Sequence, residues 1–253
     1  MTKKTIQTTF KRIETKYIIS KEQLGSLQAE FQKHLVEDDY PKSTITNIYF
    51  DNENFQMVQD TLLRLYGREK LRMRTYDAQP TEDSQVFLEL KKKVWEDGTE
   101  VGHKYRLTSN AQSVEDFVLH GHADHTIDDL RLEEELDQLR ERYGQLLPKM
   151  HISYSRISYK GITDRKVRVT IDKDLIFRPN PTSITEGKYG YPLIDEDHMI
   201  MEIKVPGVMP DWLETILVKF GIERHSFSKY GTSYKKYQEI INQGGDRFVR
   251  TTV

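Results

Sequence analysis

Residues 70–76 read Lys-Leu-Arg-Met-Arg-Thr-Tyr. On an extended strand, successive side chains point to opposite faces. Lys70, Arg72 and Arg74 therefore share one face, and Leu71 and Met73 take the other. Five later segments repeat the pattern. Residues 86–94 set Phe87, Glu89, Lys91 and Lys93 against Val86, Leu88, Leu90 and Lys92. Residues 102–107 set Lys104 and Arg106 against Tyr105 and Leu107. Residues 152–159 set Tyr154, Arg156 and Ser158 against Ser155, Ile157 and Tyr159. Residues 166–172 set Lys166, Arg168, Thr170 and Asp172 against Val167, Val169 and Ile171. Residues 200–205 set Glu202 and Lys204 against Met201, Ile203 and Val205. A single strand of this kind is a solvated surface. A series of them limits the fold, because like charges on neighbouring strands repel unless an anion lies among them. A sheet closed into a barrel turns the charged faces inward around a polyanion and leaves the apolar faces outside, where helices must cover them.

Composition agrees with such an inside-out arrangement. Hydrophobic residues make up 36% of the 253 residues and charged residues 31%, a thin apolar supply for a chain of this length. The net charge of −2 speaks against a protein that coats nucleic acid, so no nucleic-acid partner is expected. The cations matter by position and not by number. Cysteine is absent, which excludes disulfides and thiolate chemistry. The start, MTKKTIQTTF, lacks the apolar core of a signal peptide, and no run approaches the ~18 apolar residues of a membrane span. The expectation is a cytoplasmic enzyme or binding protein, built as one domain over residues 1–253 with 244–253 as a frayed tail.

Along the chain, a first strand over residues 8–19 places Arg12, Glu14 and Lys16 on one face. Ser20 caps a helix with Gln23 in capping-box position, and Leu24, Leu27, Phe31 and Leu35 form its apolar stripe. Residues 44–50 read as a strand, while 54–68 carry no clear period. Glu96-Asp97-Gly98 joins two strands as a hairpin. Residues 113–125 read as a loop whose His120, His122 and His125 have a metal-ligand spacing, but no acidic helix partner stands nearby. A charged helix spans 128–143, and two strands meet around Gly161. Residues 178–199 form a long polar excursion. Two helices follow, one opened by Pro210 and closed by Gly221, the other carrying Tyr234, Tyr237 and Ile241.

Taken in order, the motifs are R-x-E-x-K-Y from Arg12 to Tyr17, K-L-R-x-R from Lys70 to Arg74 and E-x-K from Glu89 to Lys91. K-x-R follows at Lys104 to Arg106, Y-x-R at Tyr154 to Arg156 and V-R-V-T-I-D at Val167 to Asp172. M-E-I-K runs from Met201 to Lys204 and F-S-K-Y from Phe227 to Tyr230. This series resembles the vacuolar transporter chaperone (VTC) domain, the polyphosphate polymerase branch of the triphosphate tunnel metalloenzymes. No single motif is specific, but their order and strand context are. The resemblance covers about residues 8–237.

It implies an α+β fold in which an antiparallel β-barrel of about eight strands forms a tunnel with a charged interior and helices outside. It implies a divalent metal, Mn2+ or Mg2+, and chemistry on a nucleoside triphosphate, ATP in the first instance, and a polyphosphate chain. Residues at the positions of Lys16, Arg72, Arg74, Lys91, Lys104, Arg156, Arg168 and Lys229 bind phosphates in the family. Tyr154 and Ser228 match phosphate-contacting hydroxyls, and Glu202 matches the metal-holding acid. Two positions depart from the pattern. Arg12 stands where the wider superfamily opens on Glu, as is usual for the polymerase branch, and Ser226 stands where a basic residue often precedes the Ser-Lys pair.

Phosphoryl transfer needs positioning and charge neutralisation more than covalent catalysis. Arg clamps two oxygens at once, while Lys acts as a point charge. Glu89 is read as a salt-bridge partner in preference to a second metal contact; Lys70, Arg106 and Lys204 share the charged faces at lower rank. A metal-dependent triphosphate or polyphosphate hydrolase and a non-catalytic polyphosphate-binding module stand as alternatives. An RNA-binding barrel is discounted, because most aromatics lie opposite the cations. No residue run spans a bilayer, so transport of a product would need a membrane partner protein.

Overall fold

The computed structural model of the chain describes residues 13–65, 68–121, 127, 129–180 and 182–244. The elements run β1 (Ile13–Ser20), α1 (Lys21–Phe31), β2 (Leu35–Asp51), α2 (Gln56–Leu63), β3 (Arg68–Thr75), β4 (Gln85–Glu96) and β5 (Thr99–Asn110). They continue with α3 (Ala111–His120), α4 (Leu130–Tyr143), β6 (Leu147–Gly161), β7 (Arg168–Arg178), β8 (Tyr191–Pro192), β9 (His198–Val205), α5 (Asp211–Lys219) and α6 (Lys229–Asn242). All strands join one antiparallel sheet in the order β1-β9-β7-β6-β2-β3-β4-β5, with the short β8 on β7.

The alternation expected from sequence decides which side of this sheet is covered. Leu71, Met73, Val86, Leu88, Leu90 and Leu107 are buried beneath Val114, Phe117, Leu132, Leu136 and Leu139 of α3 and α4. Val167, Val169, Ile171, Met201, Ile203 and Val205 pack against Leu27 and Phe31 of α1 and Leu213, Ile216 and Leu217 of α5. Four helices thus cover the apolar face. The charged face is concave, since residues of β1 and β9 share a cavity with residues of β3 and β4. Curvature brings them together, not a closing ladder: among the described residues no pairing joins β1 to β5.

The other two helices lie differently. α2 and α6 pack on the concave side, where Val58, Tyr230 and the partly buried Leu62, Tyr234 and Tyr237 meet Ile45, Tyr49, Met150, Ile152 and Phe177. One end of the interior is therefore an apolar core, and the charged part occupies the remainder. Asp51 fastens this plug. Its buried carboxylate accepts hydrogen bonds from the Met57 and Val58 backbone N–H groups, at 2.9 and 3.0 Å, and from the Tyr230 hydroxyl at 2.8 Å.

Local chemistry accounts for the boundaries. Ser20 Oγ accepts from Gln23 N at 3.1 Å and Gln23 Oε1 accepts from Ser20 N at 2.9 Å, which is the expected capping box. The helix stops at Phe31, so Leu35 opens β2 opposite Gly161 instead of extending the helical stripe. The ambiguous stretch 54–68 contains α2, stopped by Arg64 in a left-handed conformation. Asp97 and Gly98, with φ of 49° and 76°, make the tight β4–β5 hairpin turn. Residues 111–120 are helical where a loop was expected, because Asn110 Oδ1 accepts from Ser113 N and caps α3. His120 ends that helix; His122 and His125 lie outside the described residues, as do Arg12 and the tail from 245. Between Arg178, which ends β7, and His198, which opens β9, the described residues of the excursion form the short β8.

Two glycines predict opposite responses to alanine. A Cβ at Gly161 would lie 2.3 Å from the Asp164 backbone oxygen, whereas one at Gly25, within α1, meets nothing within 4 Å. Gly161→Ala is expected to lower stability by about 1–3 kcal/mol, and Gly25→Ala to raise it by about 0.5–1 kcal/mol. Urea denaturation followed by circular dichroism reads both.

Candidate functional site

The free part of the concave face encloses a cavity of about 130 Å³. β1 contributes Glu14 and Lys16, β2 Tyr49, β3 Lys70, Arg72 and Arg74, and β4 Glu89 and Lys91. β6 contributes Tyr154 and Arg156, β9 Glu202 and Lys204, and the start of α6 Ser228, Lys229 and Tyr230. Eight cationic side chains and three carboxylates thus face one small volume. Strand register imposes the crowding. Lys91 pairs with Lys70 on one side and Lys104 on the other, a row of three lysines across adjacent strands.

Two buried carboxylates hold part of this charge. Glu89, 1% exposed, accepts from Arg72 Nε and Nη2 at 2.9 and 2.6 Å, and its other oxygen lies 2.5 Å from Lys104 Nζ and 3.3 Å from Arg106 Nε. Burial alone would raise its pKa, but the Arg72 and Arg74 charges hold it well below the usual carboxylate range. This is the salt-bridge role expected of Glu89. Asp172, fully buried, accepts from Arg156 Nε and Nη2 at 2.6 and 2.8 Å and from Lys229 Nζ at 2.5 Å. Burial again pushes upward, and the Lys229 and Arg156 charges again prevail and lower it. Asp172 thereby ties β6, β7 and the first turn of α6 together.

Lys16 pairs with Glu14, and Lys204 with Glu14 and Glu202, whereas Arg74, Lys70 and Lys91 have only neutral partners or none among the described residues. Arg74 Nε donates to Asn47 Oδ1 at 2.8 Å and its Nη2 to the Tyr154 hydroxyl at 3.1 Å. Lys70 Nζ donates to Ser228 Oγ at 3.0 Å, and burial lowers its pKa. Lys91 has no hydrogen-bond or ion-pair partner among the described residues. It is exposed within the cavity. Tyr49 stacks on Tyr230 with ring centroids 4.7 Å apart, and its hydroxyl accepts from Arg72 Nη1 at 3.2 Å. Burial would raise this phenol, yet Arg72 and Arg74 bring it down to about 8. Cations with no carboxylate bonded to them, held on rigid strands, make a receptor for an anion.

The structure gathers Lys16, Arg72, Arg74, Lys91, Tyr154, Arg156, Glu202, Ser228 and Lys229 around this cavity. Ser228 also caps α6, accepting from Gly231 N at 3.1 Å. Lys104 lies one strand further out and lines an adjoining cavity of about 730 Å³, which shares Glu14, Lys70, Lys91, Lys204 and Ser228 with the first. Arg168 is the exception. It shares the face of Asp172 but lies toward the strand end, is 45% exposed at its side chain and pairs with Asp38. Sequence reasoning missed Tyr49 and the bridging role of Asp172. Strict alternation of Ile45, Asn47 and Tyr49 along β2 was the available signal for the first.

Glu202, 8% exposed, pairs across the sheet with Lys16 and contacts Lys204. Burial would raise its pKa, and the Lys204 and Lys16 charges lower it instead. Among the described residues no group of three or more His, Asp or Glu side chains is placed to hold a metal by itself. Glu202 and Glu14 nevertheless line the anion cavity together. One or two carboxylates beside phosphate oxygens are a donor set that suits a hard divalent ion arriving with its substrate.

Comparison with known proteins places these features. The family model for the VTC domain matches residues 11–238. The chain is 29% identical over 152 residues to vacuolar transporter chaperone complex subunit 2 of Saccharomyces cerevisiae, covering 53% of this chain and 18% of that protein. It thus spans under a fifth of that relative's length. A candidate adenylate cyclase from Bacillus halodurans has the same fold, with TM-score 0.50 and 16% identity over 88% of this chain and 95% of that one. A candidate adenylate cyclase from Vibrio parahaemolyticus aligns at 11% identity and TM-score 0.42 over 93% and 99% of the two chains. Among the described residues, no helix is long and apolar enough to cross a membrane.

Two predictions follow from the charge balance. As pH rises through about 8, Tyr49 gains a negative charge, which opposes an anion. Tripolyphosphate affinity, measured by calorimetry, should fall several-fold from about pH 7 to about pH 9. Tyr49→Phe should flatten the profile, and a level wild-type profile would count against the Tyr49 hydroxyl. Glu89→Gln leaves its cations without their buried counter-charge. It should cost about 3–5 kcal/mol of stability, and tripolyphosphate should raise the melting temperature of this variant more than that of the parent.

Proposed function

The chain belongs to the VTC domain family, and we propose that it is a phosphotransferase that moves the γ-phosphoryl of a nucleoside triphosphate, with ATP as the first candidate, onto a polyphosphate chain. The observation that carries this reading is the set of strand-borne cations, Arg74, Lys91 and Lys70, that face one cavity without a carboxylate partner. Arg72, Arg74 and Arg156 would clamp the phosphates, with Lys16, Lys70, Lys91 and Lys229 along the track and Tyr154 and Ser228 as hydroxyl contacts. Fixed cations in a confined site stabilise charge that spreads over phosphoryl oxygens in the transition state. Lys104 would extend the track, and Arg168 is assigned no contact in the cavity.

A divalent ion, Mn2+ or Mg2+, held by Glu202 with phosphate oxygens would supply further neutralisation at the transferred group. The attacking group in this reading is a terminal phosphate oxygen of the chain. It is already ionised, so no strong general base is required. The state of the carboxylates favours this acceptor over water. Glu89, Asp172 and Glu202 are all engaged by cations with their pKa values lowered, which makes them weak bases. The hydrolase alternative needs one of them to activate water.

The name of the yeast relative indicates a multi-subunit complex. By analogy we propose that this domain works on the cytoplasmic side of a membrane assembly, whose other members would carry a product across.

Incubation with ATP and Mn2+, followed by phosphorus NMR, tests the reading. Growth of a bridging-phosphate signal is expected; release of orthophosphate alone would establish hydrolysis instead. Glu202→Gln should abolish turnover while sparing much of the tripolyphosphate binding. Arg74→Ala should lower kcat by about 100-fold or more, whereas Arg168→Ala should stay within a few-fold of the parent.

A further inference from the structure

The inner cavity, at about 130 Å³, lies below the roughly 300–1,000 Å³ of a small-molecule pocket and is walled largely by cations. The adjoining compartment of about 730 Å³ has the size of a small-molecule pocket and opens directly from the same lysines, Lys70 and Lys91. A triphosphate bound at those lysines therefore has this compartment next to it for its sugar and base. Lys93 lines that compartment. Trp95 follows two residues later on β4, so it stands on the same face about 7 Å further along the strand.

Trp95 is 75% exposed and stacks on no other ring among the described residues. It lies beyond Lys93, whose partner on β3 is Arg68, the first residue of that strand. Its cross-strand partner is Glu100, which is itself taken up by Arg68 and Lys93. That network holds the hairpin against the neighbouring strand, and none of its bonds among the described residues involves the indole. Phe227, which lines the compartment, packs against the apolar plug, so its ring already has a neighbour. A large exposed π surface two residues beyond the lining residue Lys93, on the same strand face, is the chemistry that holds the base of a nucleotide whose phosphates are bound within.

We propose that the larger compartment is the donor-nucleoside subsite and that the base of the nucleoside triphosphate stacks on Trp95. The proposal rests on the phosphotransferase reading above and adds to it an entry side. The nucleotide arrives through the cavity beside the β4–β5 hairpin, phosphates first. Stacking tolerates any base, so the subsite distinguishes nucleotides from inorganic chains more than it distinguishes one nucleotide from another.

The chain has two tryptophans, and Trp212 is stacked on His34 with ring centroids 4.4 Å apart, away from this compartment. In a Trp212→Phe background, ATP should quench the Trp95 fluorescence and tripolyphosphate should leave it largely unchanged. Trp95→Ala should weaken ATP binding about tenfold and tripolyphosphate binding by less than about twofold, with Trp95→Phe in between. Equal losses for both ligands, or unchanged ATP binding, would overturn the subsite while leaving the phosphotransferase reading standing. Failure of the parent protein to bind either ligand would overturn both.

Discussion

Like-charge repulsion across the concave face is the condition under which everything else in this fold operates. Antiparallel register sets Lys70, Lys91 and Lys104 side by side, and sheet curvature brings Lys16 and Lys204 to face them. A chain with a net charge of −2 could have scattered its cations over a solvated exterior. It concentrates them instead, and two buried carboxylates make that tolerable. Glu89 ties strands β3, β4 and β5, and Asp172 ties β6 and β7 to α6. Each pins the cations it touches, so that the arginines hold fixed positions at the cavity wall. The cations left without a carboxylate are those for which an anion is the natural partner.

The apolar plug explains how a sheet with unpaired edge strands keeps its curvature. Among the described residues no ladder runs from β1 to β5, so their hydrogen bonding does not close the sheet. Packing of α2 and α6 against the inner faces of β2, β6 and β7 fills one end, while α1, α3, α4 and α5 press from outside. Residues Ser228, Lys229 and Tyr230 serve both compartments. Tyr230 belongs to the apolar core and reaches Asp51, Lys229 reaches Asp172, and Ser228 accepts from Lys70. The start of α6 is thus at once a structural fastening and part of the anion site.

Much of this was legible in the amino-acid order because period-2 alternation is a local property. Leu71 and Met73 opposite Lys70, Arg72 and Arg74 needed no tertiary information, and the capping box at Ser20 and the turn at Asp97-Gly98 are equally local. Arg168 shows the limit. It obeys the same alternation as Asp172, four residues further on, yet Asp38 claims it at the exposed end of the strand. Alternation reports a face and says nothing of depth along it. The same limit hid Tyr49, whose neighbours in space come from β3 and α6.

The chain's local pattern was enough to establish strands with one charged and one apolar face, helices to cover the latter, and an anion as the counterpart of the former. Tertiary structure alone settled which cations stay unpaired, which carboxylates neutralise the rest, and that two helices enter the concave side. Those outcomes depend on contacts between residues as distant as Asp51 and Tyr230 or Asp172 and Lys229. Coulomb energy depends on separation in space, and separation in space is fixed by how the sheet curls.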